Sequence, residues 1–247
     1  MKKNLPACLT AVGFFVLWQV VADCIGAAYI LPGPKEILIR LWELREPLFL
    51  VHLPATMGVT FLGLAISVVL GLGLAIAMDQ CPPLERALYP LIVASQTIPT
   101  TALAPLFILW FGYGIGSKVL VTILMTFFPI SITVFDGLKG AKREMEELLM
   151  TYGAGRWEIF WKCKAPAALP SFFSAMKMAI PLSVIGAAIA EWLGAQEGLG
   201  YFSKRMMTQL DGAGVFAPIV LLSVAAMAVV EILNAAERRL IPWRKEL

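Results

Sequence analysis

The sequence predicts an all-α membrane protein with about six transmembrane helices, and three observations carry that prediction. First, 59% of the 247 residues are hydrophobic and 15% are charged, with a mean hydropathy of +0.80. A soluble domain sits nearer half apolar and a quarter charged. Second, the apolar residues come in continuous runs near the ~20 residues that a bilayer helix needs. A backbone in lipid must satisfy its own hydrogen bonds, and unbroken apolar runs do so as helices. Third, Lys and Arg segregate between alternate connections. The whole chain, 1–247, reads as one transmembrane domain without repeats or low-complexity tracts.

The runs fall at 7–26, 54–78, 87–110, 119–137, 172–193 and 214–234. The first follows Met1-Lys2-Lys3 and continues to about Ala28, too long for the apolar core of a signal peptide. Ala22-Asp23-Cys24-Ile25 makes no lipoprotein cleavage box, because Asp precedes the cysteine. The first run is therefore read as a retained span. The connection 27–53 opens Tyr29-Ile30-Leu31-Pro32-Gly33-Pro34, where two prolines disfavour helix before them. Ile37, Leu38, Leu41 and Trp42 then alternate with charges, which predicts an amphipathic helix at the outer surface. His52 closes this connection and is read as a polar cap.

The second span carries Gly63, Ser67, Gly71 and Ala75, small residues four apart that predict close helix packing. The third contains Pro90, Pro99 and Pro105. Pro99 and Pro105 remove helical bonds, so this span is expected to kink or break, with Thr97, Thr100 and Thr101 placed to satisfy the freed groups. Broken helices line some transport sites, and others are structural kinks. The fifth span repeats the small-residue spacing at Ala175, Ala179, Ser183 and Ala187 and leads to Glu191. Pro99, Ser183, Ala187 and Glu191 are the candidates for a translocation path or gate, with helix packing as the alternative for the small residues. Asp23 and Glu231 lie near span ends and are read as interfacial.

Segments 1–6, 79–86, 138–171 and 235–247 carry thirteen Lys and Arg; 27–53, 111–118 and 194–213 carry six. Basic residues favour the cytoplasmic side, so both termini are expected there.

Several chemistries lack material. The only histidine is His52, and Cys8, Cys24, Cys81 and Cys163 form no metal-ligand spacing, so neither a metal site nor a catalytic residue is expected. No phosphate-binding GxxxxGK[ST] loop is present, and the Gly112–Lys118 stretch has the wrong spacing for one. No nucleic-acid partner is expected.

The largest polar insertion, 138–171, is cytoplasmic by the charge rule. Met145, Leu148, Leu149 and Tyr152 form one helical stripe, with Lys142/Glu146 and Arg143/Glu147 four apart. Gly153-Ala154-Gly155 breaks that helix, since glycine takes the left-handed cap readily. A second helix, Arg156 to Lys164, bears Trp157, Phe160 and Trp161, and Pro166 and Pro170 are expected to end it before the fifth span. Such a loop suits either lipid headgroups or a soluble partner.

Glu147, Gly153 six residues on and Pro166 thirteen later match the EAA loop of membrane subunits of binding-protein-dependent ABC importers. Leu148 and Leu149 stand for its alanines, and Cys163 and Ala165 for its Ile and Leu. Ile30-Leu31-Pro32-Gly33-Pro34, Gln96-Thr97-Ile98-Pro99, Leu109 to Gly114 and Glu191 to Tyr201 resemble the nitrate/sulfonate/taurine-type permeases of that class.

This resemblance implies a type I ABC importer permease fold in a bacterial inner membrane. It implies a homodimer of this chain, two cytoplasmic ATPases that carry the ATP, and an extracytoplasmic solute-binding protein; the chain itself would hold no cofactor. It assigns ATPase coupling to Glu147, Leu148, Leu149, Tyr152, Gly153, Ala154, Pro166 and Pro170. Ser183 to Ala187 and Ala190 to Gly194 look more like the vitamin-precursor branch, which points to a pyrimidine precursor of thiamine, with nitrate, a sulfonate or taurine as the alternative. A secondary transporter is the competing class; it calls for repeats or paired charges within the spans, and neither is legible.

Overall fold

The computed structural model describes residues 5–242, and every regular element among them is helical. In chain order these are α1 (Leu5–Ile25), α2 (Pro34–Glu43), the single turn α3 (Arg45–Pro47), α4 (Leu53–Gln80), α5 (Pro82–Ser95), α6 (Thr100–Phe111), α7 (Ile115–Lys139), α8 (Arg143–Thr151), the single turn α9 (Arg156–Ile159), α10 (Ala165–Gly194), α11 (Leu199–Thr208) and α12 (Gly212–Leu240). Two π turns, Leu48–His52 and Phe160–Lys164, lead into α4 and α10. Among the described residues, four continuous helical stretches are long and apolar enough to cross a membrane: Arg45–Gln80, Ile115–Lys139, Arg156–Gly194 and Gly212–Leu240.

The centre of the bundle is α7, flanked by α4 and α10. Small residues bring the three axes together. A Cβ on Gly63 would sit 2.6 Å from Thr122 Cγ2, and one on Gly71 would sit 2.8 Å from Ile130 Cγ2. Ser67 accepts a 2.6 Å hydrogen bond from Thr126 between them. The small-residue row of α4 is therefore a packing seam, as its spacing predicts. The row on α10 does the same. Ala175, Ala179, Ser183 and Ala187 have no exposed surface, and Ser183 donates back to the Ile180 carbonyl at 2.7 Å. Around this seam Ile130, Val134, Phe135, Met78 and Ile180 form the main core.

α1 lies apart from this core. Its side chains are largely exposed, and it meets the rest through Trp18 against Phe216 and through Gln19, which accepts from the Lys35 backbone N–H at 3.1 Å. The amphipathic α2 turns Ile37 inward at 2% exposure and leaves Leu38 and Trp42 out. Arg40 on α2 grips Asp211 at 2.7 Å, and Asp211 in turn caps α12 by accepting from the Gly214 N–H.

The expected break of the third span is present, the end expected at Pro166 and Pro170 needs correction, and two further features were not foreseen. The third predicted span is two helices, α5 and α6, bent 97° to each other around residues 96–99. Each half is on the order of 20 Å long, too short to cross alone. Pro99 lacks an N–H and adopts extended backbone, and Thr97 and Ser95 donate to the Ala94 and Ile92 carbonyls beside the break. Pro166 and Pro170 do not end the second loop helix, because Arg156–Gly194 is continuous. Pro166 sits in the first turn of α10, just after a π turn that has already shifted the register, so its missing N–H interrupts little. The 194–213 connection contains a helix, α11. Finally, paired charges do join the long helices: Lys177 on α10 donates to Glu237 on α12.

Candidate functional site

The loop singled out by its motif folds as α8, a turn, α9 and the π turn. α8 has no buried residue. Met145 and Leu148 are about half exposed, Tyr152 is 82% exposed and Leu149 is half-buried. The apolar stripe therefore stands in the open. Glu147 lies beside it, held at 2.9 Å by Arg143 in an exposed pair. Gly153 reverses the chain at φ +82°, and its missing Cβ faces open space. Ala154 follows, its N–H bonded to the Leu149 carbonyl at 3.0 Å. α9 and the π turn after it then carry Trp157 and Trp161 outward, 61% and 66% exposed, while Ile159 and Phe160 turn into the bundle. One end of the molecule thus presents several large apolar side chains on a short helical hairpin rooted directly in α10.

At the opposite end the structure assembles a buried polar node. Glu191, near the end of α10, is 1% exposed. Its Oε2 accepts from the Gly200 N–H at 2.8 Å and from the Thr56 hydroxyl at 3.0 Å. Thr56 in turn accepts from the Leu199 N–H at 2.8 Å, and His52 Nδ1 accepts from the Gly198 N–H at 3.1 Å. The first N–H groups of a helix have no partner within it. Gly198 precedes α11 and has no side chain to cap with, so three side chains cap that helix instead: Thr56 of α4, Glu191 of α10 and His52 of the π turn before α4. Gly198 is at φ +116°, and any Cβ there would collide with the Glu191 carboxylate.

Glu191 therefore lies inside the protein rather than at a headgroup surface. His52 is a member of the node, where sequence reasoning gave it only a polar cap. His52 and Thr56 are four residues apart and so share a helix face, which is the signal that was available. Nothing in the sequence reveals that Gly198–Gly200 returns to that face.

The other candidates are scattered. Pro99 is exposed at the α5–α6 break. Ser183 and Ala187 face the α4 and α7 packing, so they belong to the seam and line no open surface in this conformation. The open face of α10 is the adjacent one: Pro181, Val184, Ile185 and Ala188 wall a groove of about 920 Å³ against α12. Among the described residues, no group of three or more His, Cys, Asp or Glu is placed to hold a metal ion.

Residues 67–242 match the family of binding-protein-dependent transport system inner membrane components. The chain belongs to that family. A formylaminopyrimidine transport permease of Halalkalibacterium halodurans is 53% identical over the whole length of both chains. The riboflavin transport system permease of Chloroflexus aurantiacus is 33% identical over 95% of this chain and 88% of its own. The taurine permease of Escherichia coli is 28% identical over 96% and 88%. Among solved structures, an amino acid ABC transporter superposes with a TM-score of 0.65, covering 78% of this chain and 94% of that one at 18% identity. The MetNI methionine transporter gives 0.59 over 83% and 94% at 19% identity, so the shared fold is that of ABC permeases. This permease is accordingly a transport subunit of an ABC importer and not its ATPase.

Proposed function

We propose that this permease forms the path by which a formylaminopyrimidine, a precursor of thiamine, enters a bacterial cell. The observation that supports this substrate is the 53% identity with the formylaminopyrimidine permease, end to end, against 28% for the taurine permease. Two copies of the chain form the pore, two ATPases bind beneath it, and a binding protein delivers substrate from outside. The α8 end is cytoplasmic, as are both termini, in line with the excess of Lys and Arg there.

α8 is the docking helix. Glu147, Leu148, Leu149 and Tyr152 meet the ATPase, Gly153 and Ala154 make the turn, and the continuous helix through Pro166 and Pro170 carries motion into the pore. At the outer end, Glu191 holds α11 in place and so sets the shape of the mouth. The path wall runs along the open face of α10, with Val184, Ile185 and Ala188, and passes the break at Pro99.

Uptake of labelled formylaminopyrimidine tests this reading in cells expressing the permease with its ATPase and binding protein. Uptake that needs all three and resists excess taurine is expected. Uptake that taurine abolishes would move the substrate to the sulfonate class.

A further inference from the structure

At the α8 end, one ammonium group links its own element to two others. Lys164 is the last residue of the π turn that leads into α10. Its Nζ lies 2.8 Å from Asp79 Oδ1 on the last turn of α4 and 3.7 Å from Glu146 Oε2 on α8. The Asp79 side chain is fully buried, and its second oxygen accepts from Gln80 Nε2 at 3.0 Å. The Lys164 side chain is 17% exposed and that of Glu146 is 20% exposed, so the three charges are largely sheltered from solvent. Shelter of this kind reduces the screening that makes open surface pairs weak.

The covalent route from α8 to α10 runs through Gly153-Ala154-Gly155. Gly153 is in the left-handed region with no neighbour near its Cβ position, and α8 buries no side chain. That turn leads only into α9. The Glu146–Lys164–Asp79 link adds a direct route to α4 and α10 beside it.

We propose that Lys164 is a positioning residue for transport, the strut that carries displacement of α8 to α4 and α10 together. The π turn supports this, because one extra residue in the helix turns the following side chains by about 100° and brings Lys164 round to face α4. The proposal rests on α8 being the ATPase-docking helix.

The test uses the full complex in proteoliposomes, with ATP hydrolysis measured with and without binding protein loaded with formylaminopyrimidine. Lys164→Met leaves Asp79 buried without its cation and so risks misfolding. Glu146→Gln cuts only the α8 arm and keeps the Lys164–Asp79 pair, which makes it the deciding variant. Glu146→Gln should co-purify with the ATPase and keep the basal rate, while stimulation by loaded binding protein falls about tenfold, the scale of a typical coupling free energy between sites. Lys164→Arg should keep its stimulation, since a guanidinium can serve both carboxylates. Wild-type stimulation in Glu146→Gln overturns the strut and leaves docking intact. ATPase binding that survives Glu147→Arg overturns docking, and the strut with it.

Discussion

Thr56 is the residue on which the outer node turns, because its single hydroxyl both donates to Glu191 and accepts from the Leu199 N–H. Thr56→Val keeps the shape and removes both bonds, leaving the buried Leu199 N–H unpaired and Glu191 with its Gly200 bond alone. A loss of about 1–3 kcal/mol is expected, read as a lower melting temperature of the detergent-solubilised permease. An unchanged melting temperature would mean that α11 does not depend on these borrowed caps. Gly198→Ala should be worse, since it adds both a collision with Glu191 and a positive φ on a residue with a Cβ. Little of this node is legible in the sequence. Glu191 stands out as an acid at the end of an apolar run, but its partners are a backbone amide, which any residue has, and the hydroxyl of Thr56, 135 residues away. Lys164 and Asp79 are hidden for a related reason. They are 85 residues apart, and only the packing of α4 against the start of α10 brings them together.

At the scale of elements, continuous apolar runs marked α4, α7, α10 and α12 in the sequence, and an apolar stripe ended by glycine marked α8. What it obscured was continuity. Proline predicts a break where it removes a needed bond, and this held at Pro99. It failed at Pro166, where the preceding π turn had already reset the ladder. α11 escaped notice because its apolar residues, Leu199, Phe202 and Met206, are few and its cap comes from elsewhere. The α8 turn yields its own prediction. Gly153→Val forces a β-branched residue to φ +82° at a site with open space, so the strain of about 1–2 kcal/mol falls on the turn and not on the core. The variant should fold and insert but lose substrate uptake. Stimulation of ATP hydrolysis by loaded binding protein that survives in this variant would contradict the role given to the turn.

Across the whole molecule, the fold separates two tasks along one axis. α4 and α10 each run the full distance from the exposed hairpin to the buried node, and α7 packs between them through residues with little or no side chain. These long, closely packed helices are the proposed route by which a displacement at one end reaches the other. The proposed orientation rests on the charge distribution, and by it a reporter fused after Leu247 should be active only on the cytoplasmic side. The central claim is that the exposed hairpin is where an ATPase takes hold. Its most direct test is detergent pull-down of the co-expressed ATPase on the permease, with and without Glu147→Arg. The Arg143–Glu147 pair is exposed and contributes little to stability, so the substitution leaves the fold intact. Stable co-purification with wild type that is lost in Glu147→Arg is the result expected here. A wild-type permease that retains no ATPase would remove the energy source and contradict the account.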